Sequence, residues 1–244
     1  MADILKPSIS LIVPVRNEAR DVVEALIDVA RRGFCELIVV DSSDAPVVAR
    51  HEEPLRLRRI AGAGSRGACL AKAVSEAHGD VFLFLHADCR PPGNAVAIIR
   101  DALARGASSG AFSLAYANAD SRMRWVAAWA NLRSRFLRLP FGDQGIFCRR
   151  EAYQSTGGFR DMAVCEDVDL VRRLRRTGRF VVRPEVVTTS PRRYRDRGVV
   201  RQVLRVWIVL GGYFLGVSPK RLGRLYYGGP ARARRETEAK SAME

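Results

Sequence analysis

The chain has 244 residues, 48% hydrophobic and 27% charged, with a formal net charge of +15. This is the make-up of a globular protein with one large domain, or a domain and an appendage, able to bury a sizeable core. Five scattered cysteines, none in a C-x-x-C pair, argue against a zinc site or a disulfide framework. The start, MADILKPSIS, carries no apolar signal core, so a reducing, cytoplasmic setting is expected. The charge is uneven. Between Arg192 and Arg235 twelve Lys or Arg face one acid, a net +11. Such a block either attracts anions (nucleic acid, an acidic membrane face, phosphorylated substrates) or is a solvated basic surface.

In chain order, Ile9 to Val13 is an apolar run that ends in the polar stretch Arg16-Asn17-Glu18. Asp21 to Arg32 has helical apolar spacing and stops at Gly33. Leu37 to Val40 is a second buried strand ending in Asp41-Ser42-Ser43-Asp44, and Val47 to His51 has the length of a short helix. Leu55 to Ile60 alternates apolar and basic residues, as a half-exposed strand near an edge does. Gly62, Gly64 and Gly67 punctuate a loop before a helix over Cys69 to Ala77. That loop could meet phosphates through its N–H groups and Arg66, but it matches neither G-x-G-x-x-G in its usual place nor a P-loop.

Val81 to Leu85 runs without alternation between Gly79-Asp80 and Pro91-Pro92, the pattern of a strand buried on both faces. It leads into His86-Ala87-Asp88. The sequence thus predicts βαβαβαβ, a parallel sheet with helices on both faces. Three strands ending in polar loops place those loops at the sheet's carboxyl edge, where open α/β sheets bind ligands. In extended chain His86 and Asp88 point the same way. An imidazole and a carboxylate there are either a divalent-metal site or a turn and a helix cap.

Beyond a helix over Ala95 to Arg105, Gly110 to Tyr116 is a strand. Ser121 to Leu137 is a helix with Trp125, Trp129, Leu132 and Phe136 on one face, read as core rather than as a substrate platform. Leu139 to Gly145 is a loop feeding a short strand, Ile146 to Cys148. Glu166 opens a helix to Arg176 in which Asp167 shares a face with Leu170 and Leu174, while Asp169 points away toward an Arg-rich surface. An inward carboxylate in a first helical turn is a structural cap or a general base facing a cleft. Val186 to Thr189 is a last strand. Arg201 to Val217 is a strongly apolar helix whose charge-free part, Val206 to Val217, is too short to span a bilayer.

Six pieces in this order, SLIVPVRNEA (Ser10 to Ala19), ELIVVDSSD (Glu36 to Asp44), GSRGACLAKAVSEAHGDVFLFLHAD (Gly64 to Asp88), GDQGIFCRR (Gly142 to Arg150), GGF (Gly157 to Phe159) and CEDVDLVRRLRRTGR (Cys165 to Arg179), resemble the family 2 glycosyltransferases of GT-A fold. The likeness runs from about Ser8 to Arg193. The HAD, GDQGIF and EDVDLVRRLRR combination looks most like a compact bacterial branch often labelled arsenosugar-biosynthesis glycosyltransferases. The fold implied is a Rossmann-like, mostly parallel sheet with flanking helices. A nucleotide-binding half covers about 1–92 and an acceptor half about 93–193. A C-terminal apolar and basic helical extension follows at 194–228, then a disordered tail at 229–244.

The resemblance implies roles residue by residue. Pro14, Arg16 and Glu18 would line a nucleotide pocket, Asp41 would bond the base, and Arg66 would lie near the base or diphosphate. Asp88 matches the last Asp of the D-x-D motif and, with His86, would hold Mg2+ or Mn2+. Asp167 matches the Asp of the E-D motif and would be the catalytic base, with Glu166 supporting it. Gly142, Asp143 and Gln144 would face the acceptor, and Arg192 and Arg193 would close over the diphosphate. His86 departs from the family, leaving fewer carboxylates for a metal, and the Q-x-x-R-W motif of processive synthases is absent.

The activity implied is an inverting, non-processive transfer from a nucleotide-diphosphate sugar to a hydroxyl of a lipid-linked or small-molecule acceptor. Nucleic acid is not an expected partner. A homodimer, or peripheral contact at the inner face of a membrane, fits the basic C-terminal region. Two other classes stay open: a nucleotidyltransferase, which would show a Gly-rich basic signature where this chain has PVRNE, and a basic nucleic-acid-binding protein.

Overall fold

The structure, a computed structural model, describes residues 6–18, 20–44 and 56–227. Within them, β1 (Ile9–Val15), β2 (Glu36–Asp41), β3 (Arg56–Ala61) and β4 (Val81–Phe84) are joined by helices α1 (Arg20–Ala30) and α2 (Arg66–Ser75). After β4 come β5 (Cys89–Arg90), α3 (Ala95–Ala104), β6 (Ser109–Tyr116) and α4 (Ser121–Leu137). A single 3₁₀ turn, Gly142–Gln144, precedes β7 (Ile146–Arg149), α5 (Arg150–Ser155), α6 (Glu166–Thr177) and β8 (Phe180–Thr189). The C-terminal helices are α7 (Arg192–Arg197), α8 (Val199–Phe214) and α9 (Pro219–Tyr227). The short helix expected over Val47 to His51, the start of the strand expected at Leu55 and the tail 229–244 lie outside the described residues.

The strands form one sheet in the order β3-β2-β1-β4-β7-β6-β8-β5. β3, β2, β1 and β4 are mutually parallel, with β3 at the edge, as its alternating basic residues predict. β7 enters antiparallel between β4 and β6, while β6 and β8 run parallel. β1, β2 and β4 bury nearly every residue because helices cover both faces, which is why they read as unbroken apolar runs. One face packs against α1 and α3 through Leu26, Ile99 and Leu103. The other packs against α2 and α6 through Leu70, Ala73, Leu170 and Leu174.

Four expectations are corrected. The stripe Trp125, Trp129, Leu132 and Phe136 is not core: α4 buries Met123, Val126, Ala127 and Ser134 and turns the stripe outward, Phe136 being 78% exposed. Asp169 stands beside arginines as expected, but it does not point away from the body. It is buried, and Arg173 (2.6 Å), Arg160 (3.3 Å) and the Tyr213 hydroxyl (3.1 Å) surround it. The last strand is longer than expected, beginning at Phe180, because β6 gives it a parallel partner along its length. The chain at His86 to Asp88 turns rather than extends, closed by the Cys89 N–H on the His86 carbonyl at 3.0 Å.

Candidate active site

The register of the sheet gathers the polar strand ends on one edge. Val15 lies beside Asp41, and Ile12 beside Phe84, so the segments after β1, β2 and β4 leave the sheet side by side. The first two are laced together: the Asn17 N–H donates to Ser43 Oγ (2.7 Å), and the Asn17 side chain bonds both the Asp44 carboxylate and its N–H at 3.1 Å. Asn17 takes a left-handed φ of 51° to do so.

On this side Asp41 is buried and holds the Ser43 N–H (2.8 Å) and the Arg59 guanidinium (2.5 Å). Burial pushes its carboxyl up, but the Ser43 and Arg59 bonds outweigh that and hold it below the usual range. Pro14 is half-buried at the end of β1 and Arg16 is exposed. Glu18 meets Arg192 from the start of α7 at 3.9 Å, so the basic C-terminal segment reaches back over the first loop. The Arg193 side chain lies outside the described part of the structure.

On the other side of the edge, the turn after β4 brings ligand atoms of His86, Asp88 and Cys89 within 4.8 Å of one another. Cys89 was not foreseen. It is buried, its S–H faces Thr189 Oγ1 at 3.3 Å, and burial, with Asp88 nearby, pushes the thiol well up. A protonated thiol is no ligand for a hard cation. One carboxylate and one imidazole remain, a donor set that fits Mg2+ or Mn2+ once oxygens from a bound diphosphate complete the shell.

Asp167 and Gly142 face this turn. Asp167 Oδ2 accepts the Gly142 N–H at 2.6 Å and Oδ1 accepts the Val168 N–H at 2.7 Å. A side chain at Gly142 would collide with His86 Nε2 and come within 3.3 Å of Asp167 Oδ2, so the imidazole and the carboxylate both rest against this glycine. Behind Asp167, Glu166 is fully buried and pairs with Arg66 Nε at 3.0 Å, joining the first turns of α2 and α6. Burial raises the Glu166 carboxyl from its ordinary 4.5 to about 7, with Arg66 opposing and Asp167 adding to the rise. Arg66 is thus engaged with Glu166.

Gln144 does not reach the site. It is fully buried, donating to the Phe112 carbonyl (3.0 Å) and accepting from Ser134 Oγ (2.6 Å) and the Phe141 N–H (3.3 Å). Its neighbour Asp143 does line the cavity beside His86, Asp88 and Asp167, which encloses about 170 Å³.

Of the rest of the cavity wall, only Trp129 was considered, as part of a substrate platform. The wall includes Tyr116, Tyr194, Trp129, Arg133 and Trp207, brought in by β6, α4, α7 and α8. Arg133 stacks on the Phe141 ring at 3.4 Å, and burial pulls its guanidinium below the usual range while Asp143 and Asp167 pull it back. Tyr116 ends β6 at the same sheet edge, the one signal that could have placed it here. Arg133 and the C-terminal residues carried no such signal.

The chain matches the description Glycosyl transferase family 2 over residues 10–158. No curated protein matches it in sequence. Among solved structures it resembles S. aureus TarS in complex with UDP-GlcNAc: TM-score 0.59, 15% identity, covering 75% of this chain and 58% of that one. It also resembles the mannosyltransferase PcManGT from Pyrobaculum calidifontis, in complex with GDP-Man and Mn2+: TM-score 0.59, 18% identity, covering 97% of this chain and 75% of that one. At such identities the likeness establishes the fold, GT-A. With more than half the chain matched by one family, the protein belongs to glycosyl transferase family 2.

Proposed function

We propose that the protein is an inverting, non-processive glycosyltransferase that uses a nucleoside-diphosphate sugar, a divalent cation and Asp167 as base. The observation that carries this reading is the Asp167 carboxylate, fixed by two backbone N–H groups on the same cavity as His86 and Asp88. Both structural relatives are complexes with nucleotide sugars, one of them with Mn2+.

The nucleoside lies against Pro14, Arg16, Glu18 and Asp41, where β1 and β2 end. The diphosphate lies over the turn after β4. Asp88 and His86 would hold the cation, which would supply positive charge to stabilise the leaving diphosphate. Arg192 and Arg193 add positive charge from the start of α7. Each Asp167 oxygen carries a further lone pair beyond its backbone bond. Asp167 takes the proton from the acceptor hydroxyl as its oxygen bonds the anomeric carbon. The carbon–phosphate-oxygen bond breaks on the opposite face, and the diphosphate departs with the electron pair. One displacement inverts the centre, and it needs one carboxylate base rather than two. Gly142 and Asp143 flank the acceptor.

The reading is tested by calorimetry and product analysis. UDP or GDP should bind in the presence of Mg2+ or Mn2+, with affinity reduced about tenfold or more by chelator or by Asp88→Ala. Transfer of the donor sugar should give the inverted anomer by proton NMR. Nucleotide affinity indifferent to both chelator and Asp88→Ala removes the cation and Asp88 from the site. A retained anomer removes the single displacement. Thermal stabilisation by a DNA oligomer but not by UDP or GDP would favour the nucleic-acid reading instead.

A further inference from the structure

The outward stripe of α4 is not isolated. Trp125, Trp129, Leu132 and Phe136 are 63%, 46%, 44% and 78% exposed, and the two indoles stack in parallel with centroids 6.1 Å apart. A matching stripe runs along α8: Val200, Leu204, Ile208 and the following Leu215 are 72%, 56%, 58% and 85% exposed. The opposite side of α8 is anchored to the protein through buried Gln202, Val209 and Leu210, so the exposed stripe is a true outer face. Leu225 of α9 shares an open groove with Val200, Leu204 and Ile208. Both helices also reach the cavity, which the part-exposed Trp129 lines from α4 and the part-exposed Trp207 from α8.

The charge on the three helices that carry these residues has one sign. α4, α8 and α9 contain no Asp or Glu. Arg122 and Arg124 precede Trp125, Arg135 and Arg138 flank Phe136, Arg201 adjoins Val200, and Arg224 adjoins Leu225, all exposed. Aromatic and aliphatic residues interleaved with arginine on outward helix faces are the make-up of interfacial elements, which bury an apolar face at the headgroup boundary and pair cations with lipid phosphate. Among the described residues no helix is long and apolar enough to cross a membrane.

We propose that this face docks on an anionic bilayer, with the cavity mouth between Trp129 and Trp207 opening toward the lipid surface. Charge selects this occupant over a second copy of the chain. A two-fold interface sets the same patch on both partners, and here it would oppose acid-free, arginine-rich helices to themselves. The proposal concerns a surface outside the donor site and stands apart from the transfer reading.

The chain's own tryptophans report on it: it has three, and all of them, Trp125, Trp129 and Trp207, lie on this face. The full-length protein should float with phosphatidylcholine vesicles containing phosphatidylglycerol and not with phosphatidylcholine alone. Its tryptophan emission should shift to the blue on those vesicles and be quenched by brominated acyl chains, and high salt should weaken the binding. Trp125→Ser/Phe136→Ser and Leu204→Ser/Ile208→Ser should each reduce vesicle affinity roughly tenfold or more, leaving the melting curve and UDP or GDP affinity as in the parent. Four results overturn the proposal: no flotation; equal flotation with neutral vesicles; salt-sensitive binding without blue shift or quenching in the unmodified protein; or a dimer in sedimentation equilibrium that the serine variants dissociate. Nucleotide affinity is read separately, so loss of vesicle binding and loss of donor binding are distinct failures.

Discussion

The Asp167 carboxylate and the Gly142 amide are joined by a hydrogen bond of 2.6 Å, and the same glycine rests against the His86 imidazole. The carboxylate proposed as base and the imidazole proposed to help hold a cation are therefore positioned by one residue without a side chain. A catalytic group fixed by backbone is oriented before substrate arrives, which is what positioned proton transfer requires.

Asp167→Asn keeps the shape and an oxygen able to accept one backbone bond, but it cannot take a proton. Turnover should fall by roughly 10²–10⁴ while nucleotide affinity stays near that of the parent, and the one backbone N–H left facing the amide should lower stability by only about 1–3 kcal/mol. The paired measurement separates base from cap. Near-normal turnover would make Asp167 a helix cap. Joint loss of binding and stability would make it structural, with Asp143 the next candidate.

Gly142→Ala should be costly although alanine is small. The added methyl would collide with His86 Nε2, so either the imidazole leaves its place or the 3₁₀ turn shifts. Stability should drop by about 1–3 kcal/mol, as for other overpacked sites, and the metal dependence of nucleotide binding should weaken with it. Chemical denaturation and calorimetry with and without chelator read the two effects. Unchanged values in both would mean that the cradle is looser than described.

Glu166 gives the protein a pH signature. Its carboxyl rises from 4.5 to about 7 on folding, chiefly through burial, so the folded state favours the neutral acid. Its contribution to stability is fully present below pH 4.5 and is lost as pH rises through about 7. Glu166→Gln imitates the neutral form. The melting temperature of the variant relative to the parent should therefore climb across that window, by the equivalent of at most about 3 kcal/mol. Arg66→Met removes the opposing charge and should move the window to higher pH. A difference between the Glu166→Gln variant and the parent that does not change with pH would show that Glu166 ionises normally.

Asp169 holds the C-terminal helices to the body. It pairs with Arg173 and accepts the Tyr213 hydroxyl from α8. Asp169→Ala leaves the largely buried Arg173 without its carboxylate and should cost about 3–5 kcal/mol. Tyr213→Phe removes one hydrogen bond and should cost about 1 kcal/mol. Urea denaturation compares them, and equal small losses in both would mean that the Asp169 pairing contributes little to holding these helices.

Strands β1, β2 and β4 were legible because each is buried on both faces. That requirement leaves an unbroken apolar run and puts the polar residues at its end, a pattern set by local covering alone. β3 was legible as an edge for the converse reason, its alternating arginines. The polar ends of β1, β2 and β4, with Asp88 and Asp167, could be named from their place next to such runs.

The sequence by itself determined the parallel βα half, the polar strand ends and the amphipathic character of α4 and α6. Tertiary structure alone decided which side of each helix faces inward. α4 offers two apolar faces, a small one at Val126 and Ala127 and a large one at Trp125 and Trp129, and periodicity finds both without ranking them. The small face is buried because β6 and α8 approach closely there. Asp169 is inward because Arg160 and Tyr213 arrive from other elements to compensate it. The antiparallel entry of β7, the turn that adds Cys89 to the His86–Asp88 pair, and the cavity wall from α7 to α9 all join residues far apart in the chain. Such contacts depend on the closure of long loops and the packing of distant surfaces, which leave no periodic trace in the segments they bring together.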